Sequence, residues 1–236
     1  MKIFIDAGHN FSGDDTGAQG NGIREQDITF MIANKLKSLL TSAGHEVFMS
    51  RNRLEDNVGS TLSDSLNTRV NLANRYGVHL FVSIHCNAFD GQANGTETLV
   101  YSFDSLAMEY AKRIQKSIIE KVGTTNRGVK ERKDLAVLRK TSMPAVLIET
   151  AFIDNASDAT LLVKKQDDFA EAIFEGITGE KCHQELKNIN DIVWEYAHRG
   201  IVTDIEGMKK EMLQNPDGRL YWLARKALRY IRSNNI

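Results

Sequence analysis

The sequence is poor in the residues that mark disulfide-linked or linker-rich proteins. Its 236 residues include only two prolines and two cysteines. So few prolines exclude a long proline-rich linker. Cys86 and Cys182 do not make a disulfide scaffold, and they fit no paired Cys-x-x-Cys zinc motif. A metal site in this chain therefore needs histidine and carboxylate ligands.

Long apolar runs and an excess of charge of one sign are also missing. No stretch is long and apolar enough to span a membrane, and the N-terminus lacks the apolar segment of a signal peptide. We therefore expect synthesis in the cytoplasm without an export signal, and no membrane insertion. The formal net charge of −1 gives no indication of a nucleic-acid partner. The hydrophobic share of 42% is typical of an ordinary globular protein.

Strand-like and helix-like segments alternate through the first three quarters of the chain. Short apolar runs predict strands at residues 2–7, 45–51, 79–85, 96–102, 135–138 and 145–148. Helical spacing of apolar residues predicts helices at 25–40, 62–76 and 104–122, with one or two more within 155–178. This alternation predicts an α/β fold, with a mostly parallel central sheet flanked by helices.

Reactive side chains follow several of these strands. His9, His85 and Glu149 each come just after a predicted strand, and parallel sheets gather their ligands at that edge. Glu25 begins a predicted helix, where a carboxylate is favoured even without a metal. Two histidines and a carboxylate are a ligand set of catalytic zinc, which leaves a fourth position for water. From spacing alone a structural role for each residue stays the more common alternative.

Four separated segments carry a resemblance to a known family. They read Ile-Asp-Ala-Gly-His-Asn at 5–10, Gly-Ile-Arg-Glu-Gln-Asp at 22–27, Ser-Ile-His-Cys-Asn-Ala at 83–88, and Pro-Ala-Val-Leu-Ile-Glu-Thr-Ala-Phe-Ile-Asp-Asn at 144–155. In this order they resemble the zinc-dependent N-acetylmuramoyl-L-alanine amidases of the amidase-3 type, over residues 1–179. The resemblance implies a peptidoglycan hydrolase that cleaves the amide between N-acetylmuramic acid and the L-alanine of the stem peptide.

The resemblance also implies roles for individual residues. His9, Glu25 and His85 match the ligands of one zinc ion, and Glu149 matches the catalytic glutamate that acts as general base toward water. Asn87 matches an asparagine beside the site and is a candidate substrate-binding residue; capping its strand end is an equally good interpretation. Some family members carry an inhibitory helix near the site. The loop at 89–95 is too short for one, so we expect an open groove.

Two other functions stay open at this point. One is a zinc peptidase that cuts within the stem peptide, and the other is a catalytically dead wall-binding module. An amidase releases a peptide with a free N-terminal L-alanine, which distinguishes it from the peptidase. The presence of every expected ligand and of the base argues against a dead site. A wall hydrolase without an export signal suits a phage endolysin, or a clostridial autolysin that is freed when the mother cell lyses.

The pattern changes after Gly179, where only helical segments follow, at 183–199, 204–213 and 219–232. We therefore predict a catalytic domain over residues 1–179 and a small all-helical domain over 180–236. The last helix combines cations with Tyr221 and Trp222, which suits wall targeting or self-association. The same aromatics are also needed as core in so small a domain. Deleting the residues after Gly179 tests both roles, because unchanged wall binding and oligomeric state would exclude them.

Overall fold

A computed structural model describes residues 1–180 of the chain. The predicted helical segments at 183–199, 204–213 and 219–232 lie outside the described residues. The division into two domains, the wall-targeting role and the self-association of residues 180–236 therefore stay predictions. Within residues 1–180, no helix combines the length and the apolar character needed to cross a membrane.

Eight strands and six helices alternate along the described chain. The strands are β1 (Lys2–Ala7), β2 (Gln19–Gly20), β3 (Ile23–Arg24), β4 (Glu46–Met49), β5 (Leu80–Asn87), β6 (Thr96–Val100), β7 (Asn126–Glu131) and β8 (Ala145–Phe152). The helices are α1 (Glu25–Ser42), α2 (Leu62–Tyr76), α3 (Ala107–Val122), α4 (Ala136–Arg139), α5 (Ala156–Lys164) and α6 (Gln166–Thr178).

Six of the strands form one sheet in the order β4-β1-β5-β8-β6-β7, while β2 and β3 pair as a small hairpin. Strands β4, β1, β5 and β8 are parallel to one another. Strand β6 is antiparallel to β8, and β7 is parallel to β6. The prediction of a mostly parallel sheet flanked by helices is thus confirmed. Because β6 and β7 run the other way, their first residues lie at the edge where β5 and β8 end.

The two faces of the sheet pack against different helices. One core cluster joins alternate strand residues to α2 and α4, and it contains Phe4, Phe81, Leu99, Leu147, Val70, Ala73, Val137 and Leu138. Helix α6 packs against α1 and α3, and α1 and α3 also contact the sheet. Because side chains alternate along a strand, His85 and Glu149 lie on the same face as the cluster residues that precede them.

Helix α2 has the predicted bounds because both of its ends carry a capping residue. The hydroxyl of Thr61 accepts a hydrogen bond from the backbone N–H of Asp64 at 3.2 Å, which satisfies one of the free N–H groups of the first turn. At the other end Gly77 takes the left-handed conformation, with φ of 58°, that commonly closes a helix. The helix is thereby placed with Ser65 and Arg69 facing the sheet, where both are buried.

One predicted element is wrong, and one strand of the main sheet was not predicted. Residues 135–138 were predicted as a strand, but Ala136–Arg139 is a single helical turn. A short apolar run suits either structure, and packing of Val137 and Leu138 against α2 favours the helix here. Strand β7 was not predicted, because its polar Asn-Arg-Gly-Val-Lys-Glu sequence contains a glycine and reads as a turn.

Candidate active site

His9, Glu25 and His85 come together at the edge of the sheet where the parallel strands end. The Oε1 atom of Glu25 lies 3.2 Å from Nε2 of His9 and 3.0 Å from Nδ1 of His85. One candidate ligand atom from each residue lies within 4.8 Å of the others. The two imidazole rings meet edge to face, with their centroids 4.7 Å apart. The structure therefore brings together the three residues that were predicted to bind one metal ion.

Different elements hold the three side chains. His85 lies within β5 rather than after it, since the strand continues to Asn87. Glu25 is the first residue of α1, as predicted. His9 lies in the loop after β1 and has a φ of 65°, a left-handed conformation that is uncommon outside glycine. Such backbone strain costs roughly 1–3 kcal/mol and is concentrated at functional sites.

Two glycines leave room for the side chains of the cluster. A Cβ atom on Gly8 would lie 2.5 Å from Cε1 of His85. A Cβ atom on Gly17 would lie 2.7 Å from Oε2 of Glu25 and 2.8 Å from Cδ2 of His9. Real Cβ atoms do not approach other atoms so closely, so a larger residue at either position would displace a side chain of the cluster.

The charges in the cluster suit a cation. Burial would raise the pKa of Glu25, but hydrogen bonds to His85 and His9 outweigh it and hold that pKa well below its usual range. Burial would lower the pKa of His9, but Asp15 and Glu25 outweigh it and raise the pKa to about 9. The carboxylates thus stabilise positive charge at this position. With His9 neutral, one carboxylate and two imidazoles are the donor set of a divalent metal site.

Asp15 contacts the ring nitrogen of His9 that does not face Glu25, and the sequence interpretation missed this residue. Its Oδ1 atom lies 3.1 Å from Nδ1 of His9, which leaves Nε2 to face Glu25. Its Oδ2 atom accepts hydrogen bonds from Ser65 at 2.5 Å and from Arg69 at 3.4 Å. A carboxylate in this position fixes the orientation and tautomer of a ligand histidine. Asp15 lies in a loop without periodicity, so only its nearness to His9 in sequence could have suggested it.

Asp6 lies in a polar layer beneath the site. It is buried, and it accepts hydrogen bonds from Arg69 at 2.6 Å and from Ser83 at 2.8 Å. Arg69 in turn contacts Asp15. Asp6 is therefore linked to His9 through Arg69 and Asp15.

Glu149 lies beside the cluster in the sheet. It pairs in register with His85 on the neighbouring strand, so the two side chains point to the same face. Its Oε2 atom is buried and has no hydrogen-bond partner among residues 1–180. Burial raises the pKa of Glu149 to about 7, against an opposing effect of His85. A carboxylate with one free oxygen and a raised pKa is suited to accept a proton and to return it.

Three further features near the site are Asn87, Cys86 and the loop that follows β5. The side-chain oxygen of Asn87 accepts a hydrogen bond from the N–H of Ala88 at 3.1 Å, which is the capping interpretation; its role toward substrate stays a prediction. Cys86 points away from His85, as strand alternation predicts, and its buried thiol lies 3.5 Å from the hydroxyl of Thr150. Burial raises the pKa of Cys86 well above its usual range, which makes the thiol inert. The loop at 89–95 contains no helix, as expected.

Comparisons with known proteins show the family of this chain. Residues 3–179 match the family described as N-acetylmuramoyl-L-alanine amidase. The endolysin of Bacillus phage SPP1 is 40% identical over 235 residues, covering 95% of this chain and 80% of that protein. The sporulation-specific N-acetylmuramoyl-L-alanine amidase of Bacillus subtilis is 37% identical over 177 residues, covering 75% of this chain and 65% of that protein.

A solved structure shows the same fold. The N-acetylmuramoyl-L-alanine amidase from Clostridium difficile 630 aligns with a TM-score of 0.66 at 32% identity. The alignment covers 75% of this chain and 95% of that structure. The shared fold thus extends over nearly the whole of that solved structure. His9, Glu25, His85 and Glu149 all lie within residues 3–179, which match the family.

Proposed function

Because the chain belongs to the N-acetylmuramoyl-L-alanine amidase family and is a peptidoglycan amidase, we propose a specific mechanism for it. It hydrolyses the amide between N-acetylmuramic acid and L-alanine, with one zinc ion held by His9, Glu25 and His85 and with Glu149 as general base. The observation that supports the proposal is the register of β5 and β8, in which Glu149 pairs with the candidate ligand His85. The Oε2 atom of Glu149 is buried and has no hydrogen-bond partner among residues 1–180.

The residues present fit zinc. Two imidazoles and one carboxylate form a common ligand set of catalytic zinc sites, and the backbone at Gly8 and Gly17 lies close against the side chains of the cluster. Zinc bound there supplies a Lewis acid that polarises the scissile carbonyl and lowers the pKa of the attacking water toward ~7. Asp15, hydrogen-bonded to Nδ1 of His9, directs the other ring nitrogen toward the metal position.

Glu149 moves the proton that the reaction requires. It accepts a proton from the attacking water as the water oxygen bonds to the carbonyl carbon of the lactyl group. It then gives this proton to the nitrogen of L-alanine as the carbon–nitrogen bond breaks. The products are a lactyl carboxylate on the sugar and a peptide with a free amino terminus. A carboxyl group whose pKa lies near neutrality performs both transfers well.

The test compares wild type with Glu149→Gln on purified peptidoglycan, measuring zinc content, rate and the new amino termini. Both proteins should hold one zinc ion, because Glu149 is not a proposed ligand. Wild type should release N-terminal L-alanine, and the variant should be slower by about 10²–10⁴, the usual contribution of a general base. Glu109→Gln, an exposed change on α3, is the matched control and should match wild type.

Other outcomes point to other functions. Release of a different amino terminus would indicate a peptidase that cuts within the stem peptide. A wild-type protein that binds peptidoglycan and releases nothing would indicate a dead wall-binding module. Loss of zinc from Glu149→Gln would make Glu149 a ligand and contradict the separation of roles.

We further infer that the chain acts on the wall after its release from the cell, as a phage endolysin or an autolysin. The 40% identity to the endolysin of phage SPP1 over 95% of the chain supports the endolysin. The purified protein, added to isolated walls of Bacillus or Clostridium, should dissolve them. Walls that stay intact while small soluble substrates are cleaved would argue against both settings.

A further inference from the structure

The row of charged side chains continues past Glu149 across the sheet. Glu97 on β6 pairs in register with Glu149, just as His85 does on the other side, so all three point to the same face. Glu97 is buried, and its Oε2 atom accepts hydrogen bonds from Arg127 at 2.8 Å and from Lys130 at 2.6 Å. The metal-ligand cluster therefore has a cationic counterpart on the far side of Glu149.

Both cations reach one carboxylate because β7 contains an irregularity. Arg127 and Lys130 are three residues apart, and in a regular strand they would point to opposite faces. The register between β6 and β7 shifts within this stretch, where β7 has one residue more than β6. Gly128 lies between the two cations with φ of 78°, as expected for a bulge. The bulge thus brings the two cations to the same face.

Glu97 neutralises only one of the two positive charges of Arg127 and Lys130. Burial would raise the pKa of Glu97, but Lys130 and Arg127 outweigh it and lower the pKa, so the carboxylate is ionised. Two cations then face one anion. Arg132, further along the strand, is held by two hydrogen bonds to Asp134 and does not add to this excess.

The two cations also keep donors that Glu97 does not use. The side chain of Arg127 is 32% exposed and that of Lys130 is 43% exposed. Arg127 lies 4.8 Å above the ring of Phe152 and gives one further hydrogen bond to the backbone oxygen of Asn94. A guanidinium has five N–H donors and an ammonium has three, so most remain without an acceptor among residues 1–180. Such donors suit a carboxylate ligand.

We propose that Arg127 and Lys130 form a subsite for the free α-carboxylate of the second residue of the stem peptide. This inference rests on the function proposed above. The second residue of peptidoglycan stems is D-glutamate linked through its side-chain carboxyl, so its α-carboxylate is free. The lactyl carboxyl of the sugar is consumed in the scissile amide, so the glycan beside that bond carries no carboxylate. The excess positive charge therefore marks the peptide side of the site.

The spacing agrees with this assignment. Neighbouring strands lie about 4.8 Å apart, which places β7 about 10 Å from β8. An extended peptide advances about 3.5 Å per residue, so a carboxylate on the second residue lies about 7 Å from the scissile amide. The side chains of Arg127 and Lys130 lean toward Glu97 on the strand between and close the remaining distance. The stem peptide then crosses the sheet from β8 toward β7.

A matched pair of soluble substrates tests the subsite on the zinc-loaded full chain. Both are N-acetylmuramoyl tripeptides with L-alanine first and L-lysine third; one has γ-linked D-glutamate second, and the other has D-isoglutamine, its α-carboxamide. Wild type should prefer the carboxylate about tenfold in kcat/KM, the effect of one charge-assisted hydrogen bond. Lys130→Met should lose most of this preference, because its rate should fall more on the carboxylate than on the carboxamide. Lys116→Met, an exposed change on α3, should keep the preference.

A binding measurement separates failure of the subsite from failure of the proposed function. The two substrates are titrated into the Glu149→Gln variant, which reads the subsite without turnover. Tighter binding of the carboxylate, with no cleavage of the muramoyl amide by wild type, would leave the subsite standing and overturn the proposed function. Equal binding and equal cleavage of both substrates by wild type would overturn the subsite alone. So would a Lys130→Met variant that slows both substrates by the same factor, because that indicates a structural role.

Discussion

Two clusters lie on either side of Glu149, and each contains both cations and carboxylates. They differ in how deeply their arginines are buried. On the β1 side, the side chain of Arg69 is only 2% exposed, and all three of its nitrogens donate to protein oxygens, including those of Asp6 and Asp15. On the β7 side, Arg127 is 32% exposed and keeps donors without an acceptor among the described residues. The saturated, buried arginine can only support its neighbours, whereas the half-exposed one can also bind a ligand.

The difference in burial also predicts different losses of stability when one partner of an ion pair is removed. Removing one partner of a buried ion pair leaves a charge without compensation and costs several kcal/mol. A partly exposed pair contributes at most about 1 kcal/mol, because water screens its charges and replaces its hydrogen bonds. The same substitution made in the two clusters should therefore have effects of different size and kind.

The largest effect is expected from Arg69→Met. The variant leaves the carboxylates of Asp6 and Asp15 buried without their cation, so the free energy of unfolding should fall by about 3–5 kcal/mol. Urea denaturation measures this change. Arg75→Met, an exposed change on the same helix, should alter the free energy of unfolding by less than about 0.5 kcal/mol. If both variants were equally stable, Arg69 would not be the scaffold described here.

The same contrast explains what the sequence could predict. The predicted site residues lie near the carboxyl ends of apolar strands or at the start of a helix, where pattern and position predict them; they are His9, Glu25, His85 and Glu149. The structure brings the first three together as predicted. Asp15 could not be found in this way, because its contact with His9 depends on how a loop closes around the left-handed backbone of His9.

The β7 side was less predictable for a similar reason. A polar strand with a glycine bulge carries neither the alternation of a half-buried strand nor the apolar run of a buried one. Its register beside β6, and with it the convergence of Arg127 and Lys130 on Glu97, depends on pairing between segments that are 30 residues or more apart. At 135–138 a strand was predicted where the structure has a helical turn. Four apolar residues are too few to distinguish the spacing of a helix from that of a strand.

A smaller effect than that of Arg69→Met is expected from Asp15→Asn, which weakens the support of His9 while keeping its shape. The carboxylate that faces Nδ1 of His9 becomes a neutral amide, so zinc affinity should fall about 10–100-fold. Competition with a chelator of known affinity measures this loss. Asp14→Asn, at the exposed neighbouring position, should bind zinc like wild type. Equal affinity of the two variants would show that Asp15 has no part in metal binding.

The smallest effect on stability is expected from Arg127→Met, which repeats the chemistry of Arg69→Met in the other cluster. Glu97 keeps Lys130 as a partner at 2.6 Å, and the methionine can still lie against the ring of Phe152. The free energy of unfolding should therefore fall by no more than about 1 kcal/mol. Urea denaturation beside Arg69→Met gives the comparison directly. A loss as large as that of Arg69→Met would make Arg127 part of the buried scaffold, and its free donors would then not be available to a substrate carboxylate.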